Sequence, residues 1–439
     1  MSTDRAALSS RRTRFMETLG KNDVAIIAGR GITIRNSDVD YRFRQPSDLL
    51  YLTGVEEPDT WAVLAPGRDK PYSLFVRARD PERETWTGRR AGLEGAVEKH
   101  GADQAFAIEQ LSRELPKLLD GADTVHYVPG LERSVDEVVN GAIAELRSAE
   151  RRGMRAPRSI SDLRTTLHEQ RLLKDDAALA TMARAVEITA EAHTQAMRAA
   201  RDGVMEYEVE ALIDYTFRRH GGHAGYGTIC GGGDNATILH YVDNSMPLRQ
   251  GELLLVDAGC EIDGFTADVT RTYPVGARFS PAQRRVYELV LCVEKACIDT
   301  VRPGATIDGI HALAVELLTA GLVELGLLHG DPKLLVESGA YRRFYMHRTS
   351  HWLGLDVHDV GAYSVAGKPR LLQAGMILTV EPGLYIPASA TDVPAEYRGI
   401  GVRIEDDILV TAVAHGSGRT NLTASIPKEV DEVESLTAA

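Results

Sequence analysis

Short apolar runs separated by amphipathic stretches mark the first part of the chain. VAIIAG from Val24, WAVLAP from Trp61, YSLFVRA from Tyr72 and TVHYVP from Thr124 have the length and composition of buried strands. Between them, AIEQLSRELPKLLDG carries apolar residues at helical spacing. This alternation predicts a small α/β domain. A basic stretch follows, with Arg151, Arg152, Arg155, Arg158 and Arg164, and reads as a solvated connector between domains. Helical periodicity then takes over. Leu179, Met182, Val186 and Ala190 recur at three- and four-residue spacing, and the pattern ends near Gly203. A second helix carries Val209, Leu212, Ile213 and Phe217. A third opens on Ser280-Pro281, an N-cap followed by proline at N1, with a stripe of Val286, Leu289, Val290, Val293 and Cys297. A fourth runs from Thr306 through IDGIHALAVELLTAGLVELG. The strand-like runs ELLLVDAG, GFTADVTRTYPV, MILTVEPGLYI and GVRIEDDILVT lie between and after these helices. They predict a sheet covered by helices, α+β rather than repeated βαβ units. The expected division is an α/β domain over 1–172 and an α+β domain over 173–439. The acidic last dozen residues read as a frayed end.

The 439 residues exceed what one hydrophobic core usually organises, which agrees with two domains. Net charge is −13, from 50 basic and 63 acidic side chains, and argues against nucleic acid or an anionic membrane as the main partner. No run approaches the roughly 18 apolar residues of a membrane span. The N-terminal stretch lacks the apolar core of a secretory signal. Cys230, Cys260, Cys292 and Cys297 form no CxxC pair and read as free thiols in a reducing cytoplasm.

Candidate chemistry concentrates in four segments. In LLLVDAGCEIDGFTADVTRTY, Asp263-Gly264 is a hairpin signal that brings Asp257 and Asp268 within a residue or two of facing each other. Both sit among core residues, where two carboxylates repel unless a cation lies between them. FYMHRTSHWLGLDVHDVG holds His347, His351 and His358. The first two have the i, i+4 spacing of HExxH, but Arg348 stands where that motif needs glutamate, so a zincin mechanism is not supported. Glu381 ends an apolar strand ahead of the turn Pro382-Gly383, and alternation along GVRIEDDILV places Arg403, Glu405 and Asp407 on one face and Asp406 on the other. An arginine two residues from a buried glutamate suits an orienting role. Asp257, Asp268, His351, Glu381 and Glu405 together carry about four negative charges, which two divalent cations neutralise. An oxygen-rich set with one nitrogen favours a hard ion such as Mn²⁺, with Co²⁺ or Zn²⁺ as alternatives. Two such ions perform amide hydrolysis. AGRGI near Gly29 is a broken glycine pattern, GGGD at Gly231–Asp234 lacks the GK[ST] of a P-loop, and no GxSxG nucleophile elbow is present.

ILHYVDN, VDAGCEIDGFTADVTRTYPV, MHRTSHWLGLDVHDVG, LTVEPGLYI and GVRIEDD, in this order, resemble the pita-bread metallopeptidases, and among them the aminopeptidase P family. RNSDVDYRFRQPSDLLYLTGVEEPD and ETWTGRRAG resemble that family's small N-terminal domain. The resemblance implies a creatinase-like N-terminal domain and a pita-bread catalytic domain. It implies release of the N-terminal residue from peptides with proline second. Asp257 then binds one ion alone, Asp268 and Glu405 bridge both, and His351 and Glu381 complete the second. A metal-bridging hydroxide attacks the scissile carbonyl, with Glu381 as general base. His240 and His358 hold the substrate and stabilise the tetrahedral intermediate. His347 lines the same pocket, Arg403 orients the ligands, and Tyr226 is counted with the substrate-binding residues. Trp86 and Arg89 are candidates for closing the pocket with a neighbouring subunit, although Trp86 equally fits a core position. A homo-oligomer, dimer or tetramer, is implied. Arg348-Thr349 departs from the small or apolar pair of many relatives and alters the charge of the pocket.

A prolidase of the same fold, cutting only dipeptides, is the alternative activity. Methionine aminopeptidase shares the ligand set but has no comparable N-terminal domain. A metal-free interaction protein is the remote alternative, and such relatives lose ligands that are all present here.

Overall fold

The computed structural model describes residues 4–276, 278–413 and 416–438. The chain falls into two compact units, Met1–Arg171 and Leu172–Ala439.

The N-terminal unit is built on a six-stranded mixed sheet. Its strands lie in the order Gln104–Ala107, Tyr72–Val76, Trp61–Leu64, Val24–Ala28, Thr124–Tyr127, Ser159–Asp162. Trp61–Leu64 runs antiparallel to both its neighbours, and the other three pairings are parallel. The strands read from VAIIAG, WAVLAP and YSLFVRA are the central ones. They are almost wholly buried, which explains their continuous apolar runs. The two edge strands were not legible, because neither is apolar enough to stand out: Gln104–Ala107 is half-buried and Ser159–Asp162 partly exposed. Ser159–Asp162 corrects the reading of the arginine-rich stretch as a connector. It pairs in parallel with Thr124–Tyr127 and belongs to the sheet.

In the C-terminal unit the helices Asp176–Ala199, Glu206–Arg219, Pro281–Thr300 and Ile307–Glu324 occupy the positions read from periodicity. Ser280 caps Pro281–Thr300: its Oγ accepts from the Gln283 N–H, and Gln283 Oε1 accepts from the Ser280 N–H at 2.8 Å. One core joins these helices to antiparallel strands, with Ile213, Phe217, Val286, Val290 and Leu318 packed among Leu254, Val256, Tyr273, Leu378 and Val402. The acidic end is ordered rather than frayed. Val430–Thr437 is a helix, and Val433 is fully buried in that core.

One run breaks at the turn read from Pro382-Gly383, and another, read as a single strand, is broken as well. MILTVEPGLYI forms Ile377–Val380 and Gly383–Ile386, and GVRIEDDILV forms Ile400–Arg403 and Asp406–Val410. Val380 pairs with Asp406, and Gly383 with Arg403, so the ladder is interrupted on both sides at the same level. Glu381-Pro382 and Ile404-Glu405 fill the gap. Pro382 cannot donate to a ladder, which marks the break chemically.

Candidate metal-dependent active site

Each acidic side chain of interest sits where a strand ends or is interrupted. Ile229–Gly232, Leu253–Asp257 and Thr270–Pro274 form one antiparallel sheet in which Asp257 faces Thr270, two residues from Asp268. The intervening hairpin turns on Asp263 and Gly264, with φ of +48° and +84°. Both angles are positive, as a type I′ turn requires. Gly259 permits the close approach of the two segments. A Cβ there would lie 1.7 Å from the Ala267 carbonyl oxygen.

Asp257, Asp268, His351, Glu381 and Glu405 line one cavity of about 830 Å³, together with Tyr226, His240, His347, His358 and Arg403. Asp268, His351 and Glu405 offer ligand atoms within 4.8 Å of one another. His351 Nε2 lies 3.3 Å from Asp268 Oδ2 and 3.5 Å from Glu381 Oε1, while its Nδ1 is 3.0 Å from the Trp352 carbonyl oxygen. That carbonyl contact fixes the ring and leaves Nε2 facing the carboxylates. The donor set therefore fits divalent cations.

The supporting contacts are dense. Arg403 donates to Asp257 Oδ2 at 2.5 Å, to Thr270 Oγ1 at 2.9 Å and to the Tyr385 hydroxyl at 3.1 Å. Thr270 in turn donates its hydroxyl proton to Glu405 Oε2 at 2.6 Å. One arginine and one threonine thus tie Asp257 to Glu405 across two strand pairs. The Glu381 N–H donates to the Thr349 carbonyl at 2.8 Å, and the Asp268 N–H to Asp407 Oδ2 at 3.1 Å. The Tyr226 hydroxyl lies 2.7 Å from Asp257 Oδ1 and 2.5 Å from Asp268 Oδ1, so one proton serves two carboxylates. Sequence reasoning gave no roles to Thr270, Tyr385 or Asp407. The placement of Asp407 beside Arg403 and Glu405 by alternation was its one trace.

Burial and mutual repulsion set the electrostatics. Glu381 is pushed up to about 7 by burial and by the nearby Asp268 and Asp257, against the pull of His351 and Arg403. Asp268 and Glu405 are also raised, by burial first and then by neighbouring carboxylates, Asp257 for both and Asp268 and Glu381 for Glu405. For His351, burial favours the neutral ring, but Asp268 and Glu381 outweigh it and raise the imidazole to about 9. Such a cluster calls for positive charge.

His347 reaches the Tyr385 hydroxyl at 2.8 Å and Glu381 Oε2 at 3.6 Å; burial, then Arg403, hold it down to about 3. The His358 and His351 rings pack edge to face at 4.4 Å. His240 is exposed and lines the same cavity, as do its chain neighbours Leu239 and Val242. Arg348 lines the cavity and is ion-paired with Asp308, while Thr349 is buried against His311 and Tyr345. Trp86 reads from the sequence as either a pocket-closing or a core residue. It lies on the helix Pro81–Thr87 of the N-terminal unit and is 86% exposed, so it is not a core residue. Arg89 follows the same helix and is also exposed.

Comparison with known proteins agrees with this geometry. Residues 180–412 match the model of metallopeptidase family M24, and residues 8–127 match the aminopeptidase P N-terminal domain. The chain is 43% identical to Xaa-Pro aminopeptidase of Escherichia coli over 99% of its own length and 98% of the relative's. Its structure resembles that of the aminopeptidase PepP of Pseudomonas aeruginosa with a TM-score of 0.97 at 45% identity, covering 100% and 99% of the two chains. A zinc-substituted aminopeptidase P of E. coli in complex with product matches with a TM-score of 0.95 at 43% identity, over 100% and 99% of the chains. With these relatives matched from end to end, and with a buried carboxylate–imidazole cluster inside the matched region, the chain belongs to metallopeptidase family M24 as an aminopeptidase with a pita-bread catalytic domain and an aminopeptidase P N-terminal domain.

Proposed function

We infer that this aminopeptidase hydrolyses the Xaa-Pro bond, releasing the N-terminal residue from peptides with proline in second position. The observation that carries the reading is the convergence of four carboxylates, His351, three further histidines and Arg403 on one cavity of peptide-binding size. The full-length likeness to Xaa-Pro aminopeptidases gives the bond specificity, and it disfavours the prolidase alternative.

Asp257, Asp268, His351, Glu381 and Glu405 hold two divalent cations in this reading, Mn²⁺ first by the hardness of the oxygen donors. When bound, the cations supply Lewis acidity and lower the pKa of a coordinated water. The chain's own residues do the rest. Arg403 and Thr270 hold Asp257 and Glu405 in orientation. Glu381 takes a proton from the attacking water and delivers it to the proline nitrogen, so that proline leaves as an amine rather than as an amide anion. His240 and His358 donate to the oxygen of the scissile carbonyl as charge develops on it. Tyr226, His347 and the apolar wall formed by Ile229, Leu239, Val242 and Val357 shape the pocket.

A cytoplasmic setting is supported by four unpaired cysteines, three of them buried. Among the described residues no helix is long and apolar enough to cross a membrane. A homo-oligomer is supported by apolar side chains left exposed on the N-terminal unit, among them Ile34, Val39, Tyr41 and Trp86. The test incubates Mn²⁺-loaded protein with Arg-Pro-Pro and Ala-Pro in parallel, with a chelated control. Release of Arg from the tripeptide, abolished by chelation, is expected. Cleavage of the dipeptide alone would move the chain to prolidase, and no cleavage of either would overturn the reading.

A further inference from the structure

One carboxylate outside the cavity holds the wall that carries His240. Glu206 opens the helix Glu206–Arg219 and is fully buried. Its Oε1 accepts from the Gly232 N–H at 2.7 Å and from Asn235 Nδ2 at 3.0 Å. Its Oε2 accepts from the Tyr241 hydroxyl at 2.8 Å and from the Met246 N–H at 2.9 Å. The first pair lies at the start of the segment 232–246 and the second toward its end, so a single side chain closes the loop on itself. Four donors at one carboxylate also account for a charge buried without a basic partner in these contacts. The next turn of the same helix repeats the device. Glu210 accepts from Asn244 Nδ2 at 2.8 Å, and Asn244 Oδ1 accepts from the Cys230 N–H at 2.9 Å.

We propose that Glu206 is a positioning residue for substrate binding, acting through Tyr241 and its chain neighbour His240. The Tyr241 side chain is clamped by Glu206 and packs in one cluster with Leu255, on the strand that ends at Asp257, and with Tyr385, which accepts a hydrogen bond from Arg403. His240, the residue before it, is exposed to the cavity. A buried tyrosine between the clamp and the exposed histidine fixes where the imidazole sits relative to the carboxylates. Misplacement of a binding group by about 1 Å costs on the order of a hundredfold in rate. The inference rests on the reading of His240 as a substrate contact.

The test is a double-mutant cycle on Mn²⁺-loaded, full-length protein, with Arg-Pro-Pro as substrate and Mn²⁺ content measured throughout. Glu206→Gln keeps shape but removes acceptor capacity, and is expected to lower kcat/KM by about ten- to a hundredfold with Mn²⁺ content unchanged. In the His240→Ala background the same change is expected to have no further effect, because the group it positions is gone. Tyr241→Phe, which deletes one of the four donors, runs the same cycle with a smaller first step and stands in if Glu206→Gln does not fold. Multiplicative effects, or a wild-type kcat/KM for Glu206→Gln, overturn the inference while leaving the role of His240 intact. A wild-type kcat/KM for His240→Ala removes that role and the inference with it.

Discussion

Stripping the metal from this protein should make its stability fall as pH rises, and Glu381 allows the effect to be sized. In the metal-free fold burial and the Asp268 and Asp257 charges lift Glu381 from 4.5 to about 7. Between those two pH values the folded chain keeps a proton that the unfolded chain has released. Stability is therefore undiminished below about pH 4.5 and declines until the folded carboxyl has ionised, just above pH 7. At about 1.36 kcal/mol per pKa unit, the Glu381 share is on the order of 3 kcal/mol. Asp268 and Glu405 shift in the same direction, so the whole apo protein has a steeper slope. The assay is urea unfolding of chelator-stripped wild type and Glu381→Gln at pH 5 and pH 8. The apo wild type should lose about 2.5 kcal/mol more than the variant across that interval, which omits the part of the effect below pH 5. Mn²⁺ should restore the wild type at pH 8 and do so less at pH 5, where protons compete for the ligands. Parallel pH slopes for the two apo proteins would refute the assignment of Glu381 to a mutually repelling buried cluster.

Three further outcomes follow from the contacts described. Asp257→Ala and Glu405→Ala should each abolish Mn²⁺-dependent hydrolysis and lower the Mn²⁺ content, while far-UV circular dichroism stays that of the wild type. Gly259→Ala puts a methyl group onto the Ala267 carbonyl, and should cost about 1–3 kcal/mol in urea unfolding together with most of the activity. Lys174 and Asp359 form an ion pair at 2.9 Å with both side chains 1% exposed, so Lys174→Met should destabilise the protein by about 3–5 kcal/mol in the same assay, leaving a buried charge behind.

Local signals were legible, and long-range ones were not. Asp263-Gly264 announced its turn because two positive φ angles leave few residue choices, and the Ser280-Pro281 cap worked for a similar reason. The buried central strands of the N-terminal sheet were visible as continuous apolar runs, whereas Ser159–Asp162 was hidden by the arginines around it. The break at Glu381 was announced by Pro382-Gly383, whereas the break at Glu405 was not, because strand propensity is continuous across it; only pairing partners reveal that the ladder stops there. Glu206 carried no signal at all. Its partners lie 26 to 40 residues away in sequence, and a glutamate at a helix start looks like an ordinary surface residue. The gathering of the ligand candidates was readable from spacing and residue type, but the tie through Thr270 and Arg403 was not, since it exists only once strands of two different sheets meet.

The strand interruptions separate what the sheet needs from what the chemistry needs. Glu381 and Glu405 occupy gaps in the ladder, so exchanging them disturbs few of the backbone bonds that hold the register. Their repulsion, meanwhile, is a standing burden on the metal-free fold. Drift that removed the acidic groups would then leave a chain that folds as well or better and catalyses nothing. Only selection for turnover, not selection for folding, keeps those positions acidic, and an apo variant enriched for thermal stability in a laboratory screen should lose carboxylates there first.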